Sequence, residues 1–513
     1  MNWNNPPLFP FLFCQFLHFS PHDDNSGVTV NLISEELAIL PSNGAWTASF
    51  GCMPPSTSNC IRKWTSAGIE TNRMSIFSRS FEFCGHPTSE PLPVEDIVQH
   101  AANIEAMIAK YSIGLDDSNH PTKRSSKRSV ANETILLTGS TGNLGCCILA
   151  SLLRMDHVRC VYALNRKSTN SMERHKAQFE DKALDVSLLS SPKLVLLEGE
   201  IHLPNLGLSE TVINKLQQEL TAIIHNAWHS NFSSPLSSFE SHIRGTRTFI
   251  DLARSSGRRA DIRFLFTSSI TMSQNWDERE GPYPEDLVMD AKTAVGGGYG
   301  ESKYVAERIL AKSGLEAISL RIGQICGGEP NGAWKSSEWF PLSVRACWSL
   351  GAVFVPTGEH HWIPMDAASD SVLEIAFHKD WLPFAANLIH PRPVASANIA
   401  CAVHEALLQE LGQGLCLPFL LQVSVGEWIE LLERSVNDHH GDRRNVIRLL
   451  SKIIYNLPPS VIPEIRNATK LSKRMRELAP IDETLVSKWV KFWIASGNLH
   501  RVEFCSNKPR ARL

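Results

Sequence analysis

Thr134-Ile-Leu-Leu-Thr-Gly-Ser-Thr-Gly-Asn-Leu-Gly145 reads as a buried strand running into a turn with glycines at 139, 142 and 145, then into a helix from Cys146 to about Arg154. Set between a strand and a helix, such a turn is a dinucleotide cradle; without that context it is an ordinary connection. Gly139 permits the tight turn, Gly142 lets a pyrophosphate approach the backbone, and Gly145 lets the helix pack on the strand. The helix N-terminus adds free N–H groups and a partial positive charge. Thr138, Thr141, Asn143 and Leu144, interleaved with the glycines, are expected to line the same cradle.

Downstream of the turn, strand-like runs alternate with helix-like ones. The strands are expected at Val158–Leu164, Lys193–Leu197, Ala222–His225, Ile262–Phe266 and Glu316–Leu320, with helical spacing between them at Ser209–Leu220 and Phe239–Arg254. The alternation predicts an α/β fold, a Rossmann-like doubly wound parallel sheet with helices on both faces. Beyond about residue 325 the alternation stops. Segments such as Ile447–Tyr455 and Leu485–Ile494 predict a smaller, mainly helical C-terminal substrate-binding subdomain.

Upstream, residues 1–90 show no sustained periodicity, and a poorly ordered segment is expected there. Val94, Ile97, Ala101, Ile104, Met107 and Ile108 repeat at helical spacing and predict one amphipathic helix over 93–111. The polar stretch Asp116–Val130, with its basic cluster Lys123–Arg128, reads as a solvated linker. The expected organisation is therefore an N-terminal segment 1–90, a helix and linker 91–130, a dinucleotide domain 131–375, and a helical cap 376–513. The loop 325–365 is expected to contribute to the substrate site.

The 513 residues are 43% hydrophobic with a formal net charge of −3, enough for real cores and without the basic excess that would favour nucleic acid or anionic membrane. Twelve scattered cysteines, with no C-x-x-C pair, give neither a zinc site nor a disulfide framework, and fit a reducing, cytoplasmic setting. The apolar run Leu8–Leu17 is broken by Pro10 and Gln15, too short to span a bilayer and without a signal peptide's basic start. No metal, no nucleic acid and no stable membrane insertion are expected.

The end of the second strand is where a dinucleotide fold reads the adenosine ribose. Here stands Leu164-Asn165-Arg166-Lys167, with no acid to accept from a 2′-hydroxyl. Arg166 offers a guanidinium fork for a 2′-phosphate and Lys167 adds charge, so NADPH is expected rather than NADH. Arg174 and Lys176 lie farther on and are weaker candidates. Gly199-Glu200 after the third strand places a carboxylate for the adenine amino group, and Asn226-Ala227 after the fourth lets the cofactor lie close.

Gly298-Tyr-Gly-Glu-Ser-Lys-Tyr-Val-Ala-Glu-Arg-Ile-Leu310 carries the chemistry. Tyr299 and Lys303 are four apart at a helix start and so share a face. Reducing a carbonyl needs an acid for the oxygen. A tyrosine of pKa about 10 exchanges protons poorly until a nearby ammonium favours its phenolate, and Lys303 is expected to supply that charge and to hold the nicotinamide ribose. The strand end Phe266-Thr-Ser-Ser269 is expected to bring a hydroxyl to the same oxygen. Ser269 is the first candidate and Ser268 the second, since one residue of slip exchanges them.

The order TGSTGNLG (138–145), LNR (164–166), HNAW (225–228), FTSSI (266–270), GYGESKYVAERIL (298–310) and RIGQICGG (321–328) resembles an extended short-chain dehydrogenase/reductase. More narrowly, it is similar to the thioester reductase domain of fungal NRPS-like and carboxylic-acid-reductase enzymes, the male-sterility NAD-binding type. The likeness runs from about Glu133 to Leu499 and includes Asn331–Trp334, Glu338–Pro341, Trp362–Asp366 and Ser487–Trp493. It implies NADPH-dependent reduction of an acyl thioester, on a carrier protein or CoA, to an aldehyde or on to an alcohol in secondary metabolism. It also implies Tyr299 as acid, Lys303 as its partner, Ser269 as the oxyanion-facing hydroxyl, and Gln324 with loop Cys326–Trp334 near the substrate. An adenylation signature and a carrier motif, usual upstream in relatives, are not found, so the expectation is action in trans on a carrier protein's thioester or on a CoA ester, with a truncated product as the alternative. Two alternatives share the fold: a reductase of another carbonyl (ketone, sterol or sugar nucleotide), and a non-catalytic NADP sensor.

Overall fold

A computed structural model describes residues 93–115, 128–167, 170–232, 234–354, 358–411, 421–436 and 462–499, with short strand pieces between His18 and Ala48. The chain divides into two units, Met1–Gly85 and His86–Leu513. In the first, Val30–Asn31 pairs antiparallel with His18–Phe19 and Glu36–Leu37, and Ile39–Ser42 pairs with Ala45–Ala48. The rest of the expectation for residues 1–90 lies outside the described residues, as does Ile447–Tyr455.

The second unit opens with helix α1 (Val94–Ser112) and continues through β1 (Glu133–Thr138), α2 (Asn143–Arg154), β2 (Val158–Asn165) and α3 (Ser171–Asp181). Next come β3 (Leu194–Glu198), α4 (Glu210–Glu219), β4 (Ala222–His225), α5 (Glu240–Arg254) and β5 (Arg263–Ser269). Helix α6 (Gly298–Ala311) and β6 (Glu316–Ile322) complete the alternation. Seven strands form one parallel sheet in the order β7-β6-β5-β4-β1-β2-β3, where β7 is Ala385–Leu388. The order turns back between β1 and β4, and the crevice at the carboxyl ends of those strands is where a doubly wound sheet binds its ligand.

All six residues of β1 are buried, because a parallel sheet is covered on both faces. Alternation along it divides the core. Leu136 joins Ile223, Phe264 and Phe266 under α5, α6 and α1, while Ile135 and Leu137 join Ile224, Leu265 and Ile318 under α2. The second layer also holds α8 (Met365–Ala376), α11 (Arg466–Leu471) and α12 (Lys473–Glu477).

Two features differ from expectation. The sheet does not end at residue 375: β7 is its edge strand and pairs with β6 from Ser319↔Ala385 to Ile322↔Leu388. Its four residues, Ala-Ala-Asn-Leu, are too short and too polar to show a strand pattern, and Asn387 is buried because Tyr283 O and Glu464 O accept from its amide. The basic linker is not solvated throughout. Arg128 is buried, pairs with Glu133 at 2.7 Å and donates to Thr221 O, tying the end of the linker to the start of β1.

The cap combines α7 (Trp339–Leu350), α9 (Ser396–Leu411), α10 (Val425–Val436) and α13 (Glu483–Ala495), the last covering the expected helix Leu485–Ile494. Trp428, Phe354 and Leu342 form a core of its own. Trp489 and Trp493 on α13 are fully buried, with indole N–H groups bonded to Gly327 O at 2.7 Å and Trp334 O at 3.0 Å. Among the described residues no helix is long and apolar enough to cross a membrane, and no group of His, Cys, Asp and Glu could hold a metal ion.

Candidate active site

At the glycine turn, Gly139 has φ +73, the left-handed region that favours glycine, and a Cβ there would lie 3.0 Å from Ala227 backbone. A Cβ on Gly145 would lie 2.0 Å from Gly139 O, so the first turn of α2 closes on β1 only without one. Thr138 Oγ1 accepts from the N–H groups of Asn226 (3.0 Å) and Ala227 (2.9 Å), fastening the end of β1 to the end of β4. The N-terminus of α2 has no side-chain cap, leaving its first N–H groups as anion donors. An uncapped helix end beside a turn with no room for a side chain fits a dinucleotide pyrophosphate.

The remaining candidates distribute around this turn. Leu144 is buried; Thr141 accepts from Arg174 at 3.3 Å. Arg166 and Lys167 are exposed at the end of β2. Glu200 is partly buried, its N–H bonded to Leu206 O and its carboxylate 3.9 Å from His202 Nδ1. One set was not foreseen. Ser140 is buried and bonds to Asn165 Oδ1 (3.1 Å) and His175 Nε2 (2.9 Å), locking the turn to β2 and α3. Its signal, a hydroxyl inside the glycine run, was present, but its partners lie 25 and 35 residues away.

Tyr299 and Lys303 lie on α6, which starts unusually close to its neighbours. A Cβ on Gly298 would lie 2.4 Å from Leu236 N, and one on Gly300 2.4 Å from Thr271 O. The glycines on either side of Tyr299 thus let α6 close on the end of β5, where the Ser269 hydroxyl accepts from Thr271 N–H at 3.2 Å and Thr271 Oγ1 at 3.0 Å and lies near enough to the phenol to favour its ionised form. The Ser268 hydroxyl turns the other way, towards Met272 Sδ at 3.6 Å. Phe232 lies over the tyrosine at 4.7 Å between ring centroids and Phe239 at 6.1 Å.

Lys303 Nζ donates to Thr267 O at 2.6 Å and faces the rings of Trp228 (4.3 Å) and Phe266 (4.7 Å), with the Tyr299 ring at 5.8 Å. Burial holds the amine well below its ordinary value, opposed by Glu307. Burial pushes Tyr299 up to about 12, opposed by the Ser269 hydroxyl. This differs from the expected ammonium-stabilised phenolate: away from water both groups favour their neutral forms.

On the cap side, Gln324 follows β6, and both ends of its amide are engaged. Its oxygen accepts from Trp339 Nε1 at 2.9 Å and its nitrogen donates to Ile325 O at 2.8 Å. In the loop Cys326–Trp334, Trp334 stacks on Phe340 and meets Trp362, Trp489 and Trp493 edge-on or tilted. Trp334 Nε1 donates to Glu338 at 2.9 Å.

Residues 137–372 match the NAD-binding family described as Male sterility protein. The chain is 42% identical over 424 residues to the adenylate-forming reductase Nps11 of Serpula lacrymans var. lacrymans (strain S7.9), which covers 78% of this chain and 38% of that protein. It is 39% identical to Nps9 of the same fungus over 454 residues, 82% of this chain and 41% of that one. The chain therefore spans about two fifths of the length of these relatives. Its fold is similar to that of the terminal R domain from the myxalamid PKS-NRPS biosynthetic pathway, with a TM-score of 0.64 and 23% identity, over 79% of this chain and all of that one.

Proposed function

This chain belongs with the thioester reductase domains of NRPS-like enzymes, and on that premise we propose that it reduces an acyl thioester to an aldehyde with NADPH. The observation that carries the proposal is Tyr299 set beside Lys303 on a helix whose glycines bring it against the end of β5, where Ser269 stands. The cofactor, when bound, supplies hydride. Thr138, Gly139, Thr141, Gly142, Asn143 and Gly145 would hold its pyrophosphate, and Arg166 with Lys167 its 2′-phosphate. Glu200, Asn226 and Ala227 would flank the adenosine and nicotinamide portions.

The protein's part is to manage the oxygen. As a C–H bond forms at the thioester carbon, negative charge develops on the carbonyl oxygen. Tyr299 gives its proton to that oxygen, and the Ser269 hydroxyl hydrogen-bonds to it. A pKa near 12 keeps the Tyr299 proton in place at neutral pH, while a developing alkoxide is basic enough to take it. Lys303 orients the tyrosine's surroundings and the nicotinamide ribose. The hemithioacetal then loses its C–S bond, releasing aldehyde and thiol.

A carrier-bound substrate offered by a separate protein is the partner we favour, with CoA esters as the free equivalent. The test is NADPH oxidation with acyl-CoA and acyl-carrier conjugates. Native protein is expected to consume NADPH, and Tyr299→Phe to lose at least about 100-fold in rate while still binding it. Oxidation that persists in Tyr299→Phe would refute the assignment. NADPH binding without oxidation by any thioester or aldehyde would favour a sensor.

A further inference from the structure

Glu338 immediately precedes α7 of the cap, yet it faces the dinucleotide turn. Its Oε2 accepts from Trp334 Nε1 at 2.9 Å and lies 3.5 Å from Gln324 Nε2. Its Oε1 lies 3.4 Å from Nδ2 of Asn143, the first residue of α2. The residue that opens the anion-binding helix therefore touches a carboxylate from the other half of the molecule. Two short bonds, Trp334 to Glu338 and Trp339 to Gln324, suffice to hold the loop. The longer contact from Asn143 Nδ2 to Oε1 is not needed to hold the loop; it links the cap to the first residue of α2.

A carboxylate at that position is in conflict with a dinucleotide. Pyrophosphate at the uncapped end of α2 would bring like charge close to Glu338, in surroundings where screening is weak. Conflict of this kind is relieved by a proton. Burial already raises the carboxyl above its ordinary value, opposed by the Trp334 hydrogen bond, Lys335, the Gln324 hydrogen bond and Lys182. The charged and titratable groups facing it are Lys335 on its own loop, Lys182 at the end of α3, and Cys326 beyond β6.

We propose that Glu338 is a positioning residue that ties the cap to the dinucleotide turn through Asn143, and that it takes up a proton from solvent when the cofactor binds. Neutralised, it stays at the turn and keeps Gln324, Trp334 and Trp339 in place over the site. Left ionised, it would repel the cofactor and open the cap. The inference rests on the dinucleotide reading of the turn alone and is independent of the substrate.

Calorimetric titration of NADPH into the whole protein, in two buffers of different ionisation enthalpy, counts the protons bound. The complex holds Glu338 protonated to higher pH than the free protein does. Native Kd should therefore rise with pH through the Glu338 titration, by up to about tenfold per pH unit at its steepest. In Glu338→Gln the uptake and this rise should disappear, with affinity at the acidic end within about threefold of native. The 2′-phosphate titrates in both proteins and cancels in the comparison. Equal uptake and equal pH profiles in the two proteins would overturn the inference while leaving the cofactor reading intact. So would loss of NADPH binding by Glu338→Gln at every pH, or native binding without uptake. Should Glu338→Gln fail to fold, Glu338→Asp retains a titrating carboxyl and should retain uptake; losing it refutes the proposal. A native protein that binds no NADPH would defeat both readings.

Discussion

The faces of Trp228 and Phe266 attract an ammonium at Lys303, but burial away from water works against that charge and prevails. Lys303 is 2% exposed and has one strong polar partner, Thr267 O. Its folded-state pKa is depressed, so the destabilisation it causes is full at low pH and fades as pH rises towards the unfolded lysine value. Lys303→Met should therefore raise stability at neutral pH by more than about 1 kcal/mol while abolishing turnover. Thermal melting across pH checks this: the gap between variant and native should shrink towards alkaline pH. The sequence placed Tyr299 and Lys303 on one face because helical spacing is local. It left Ser268 and Ser269 open because their directions depend on the register of β5 against α6. It did not show how deeply Lys303 is buried, because the rings it faces come from β5 and from the loop between β4 and α5 as well as from its own helix.

Helix α1 runs along the helix that carries the tyrosine. His100 Nδ1 meets the buried Glu301 at 2.8 Å, Glu105 meets Arg308 at 3.2 Å, and Ile104 and Ile108 enter the core under α5 and α6. The amphipathic spacing that predicted this helix over 93–111 marks the same apolar face, and the observed bounds differ by one residue at each end. Ile104 is wholly buried, and Ile104→Ala should cost about 2–5 kcal/mol in urea denaturation. A cost below about 0.5 kcal/mol would mean that α1 is not part of the folded unit. Among the strands, β1 to β6 were legible because long apolar runs repeat. The seventh was not, since its Asn387 amide is satisfied by backbone carbonyls 77 and 104 residues away and its own pattern carries little signal.

Across the whole unit, buried charge joins parts that sequence reading kept apart. Arg321 on β6 forks onto Glu307 of α6, both at most 1% exposed, and its other N–H groups bind Pro284 O and Asp286 O. Glu285 in that segment accepts from the backbone N–H groups of Asn387 at 2.8 Å and Ala468 at 3.0 Å. The sheet, the segment before α6 and the C-terminal helices are thus one connected body, which is why a domain boundary at 375 does not describe it. Removing one partner leaves the other charge stranded, so Glu307→Ala should destabilise by about 3–5 kcal/mol. Glu307→Ala with Arg321→Met should recover part of this, as a double-mutant melting series would read.

The order of the sheet leaves two rims, and they are finished differently. At β7, side chains seal the backbone: Asn467 donates to Ala385 O at 3.0 Å and Glu285 accepts from Asn387 N–H. At β3 no described strand pairs on the outer side, and Leu194, Val195 and Leu196 are only half covered. An open ladder edge with apolar flanks is a template for strand addition by another molecule. Of the two rims it is β3, not β7, that leaves ladder groups without a described strand or side chain to seal them.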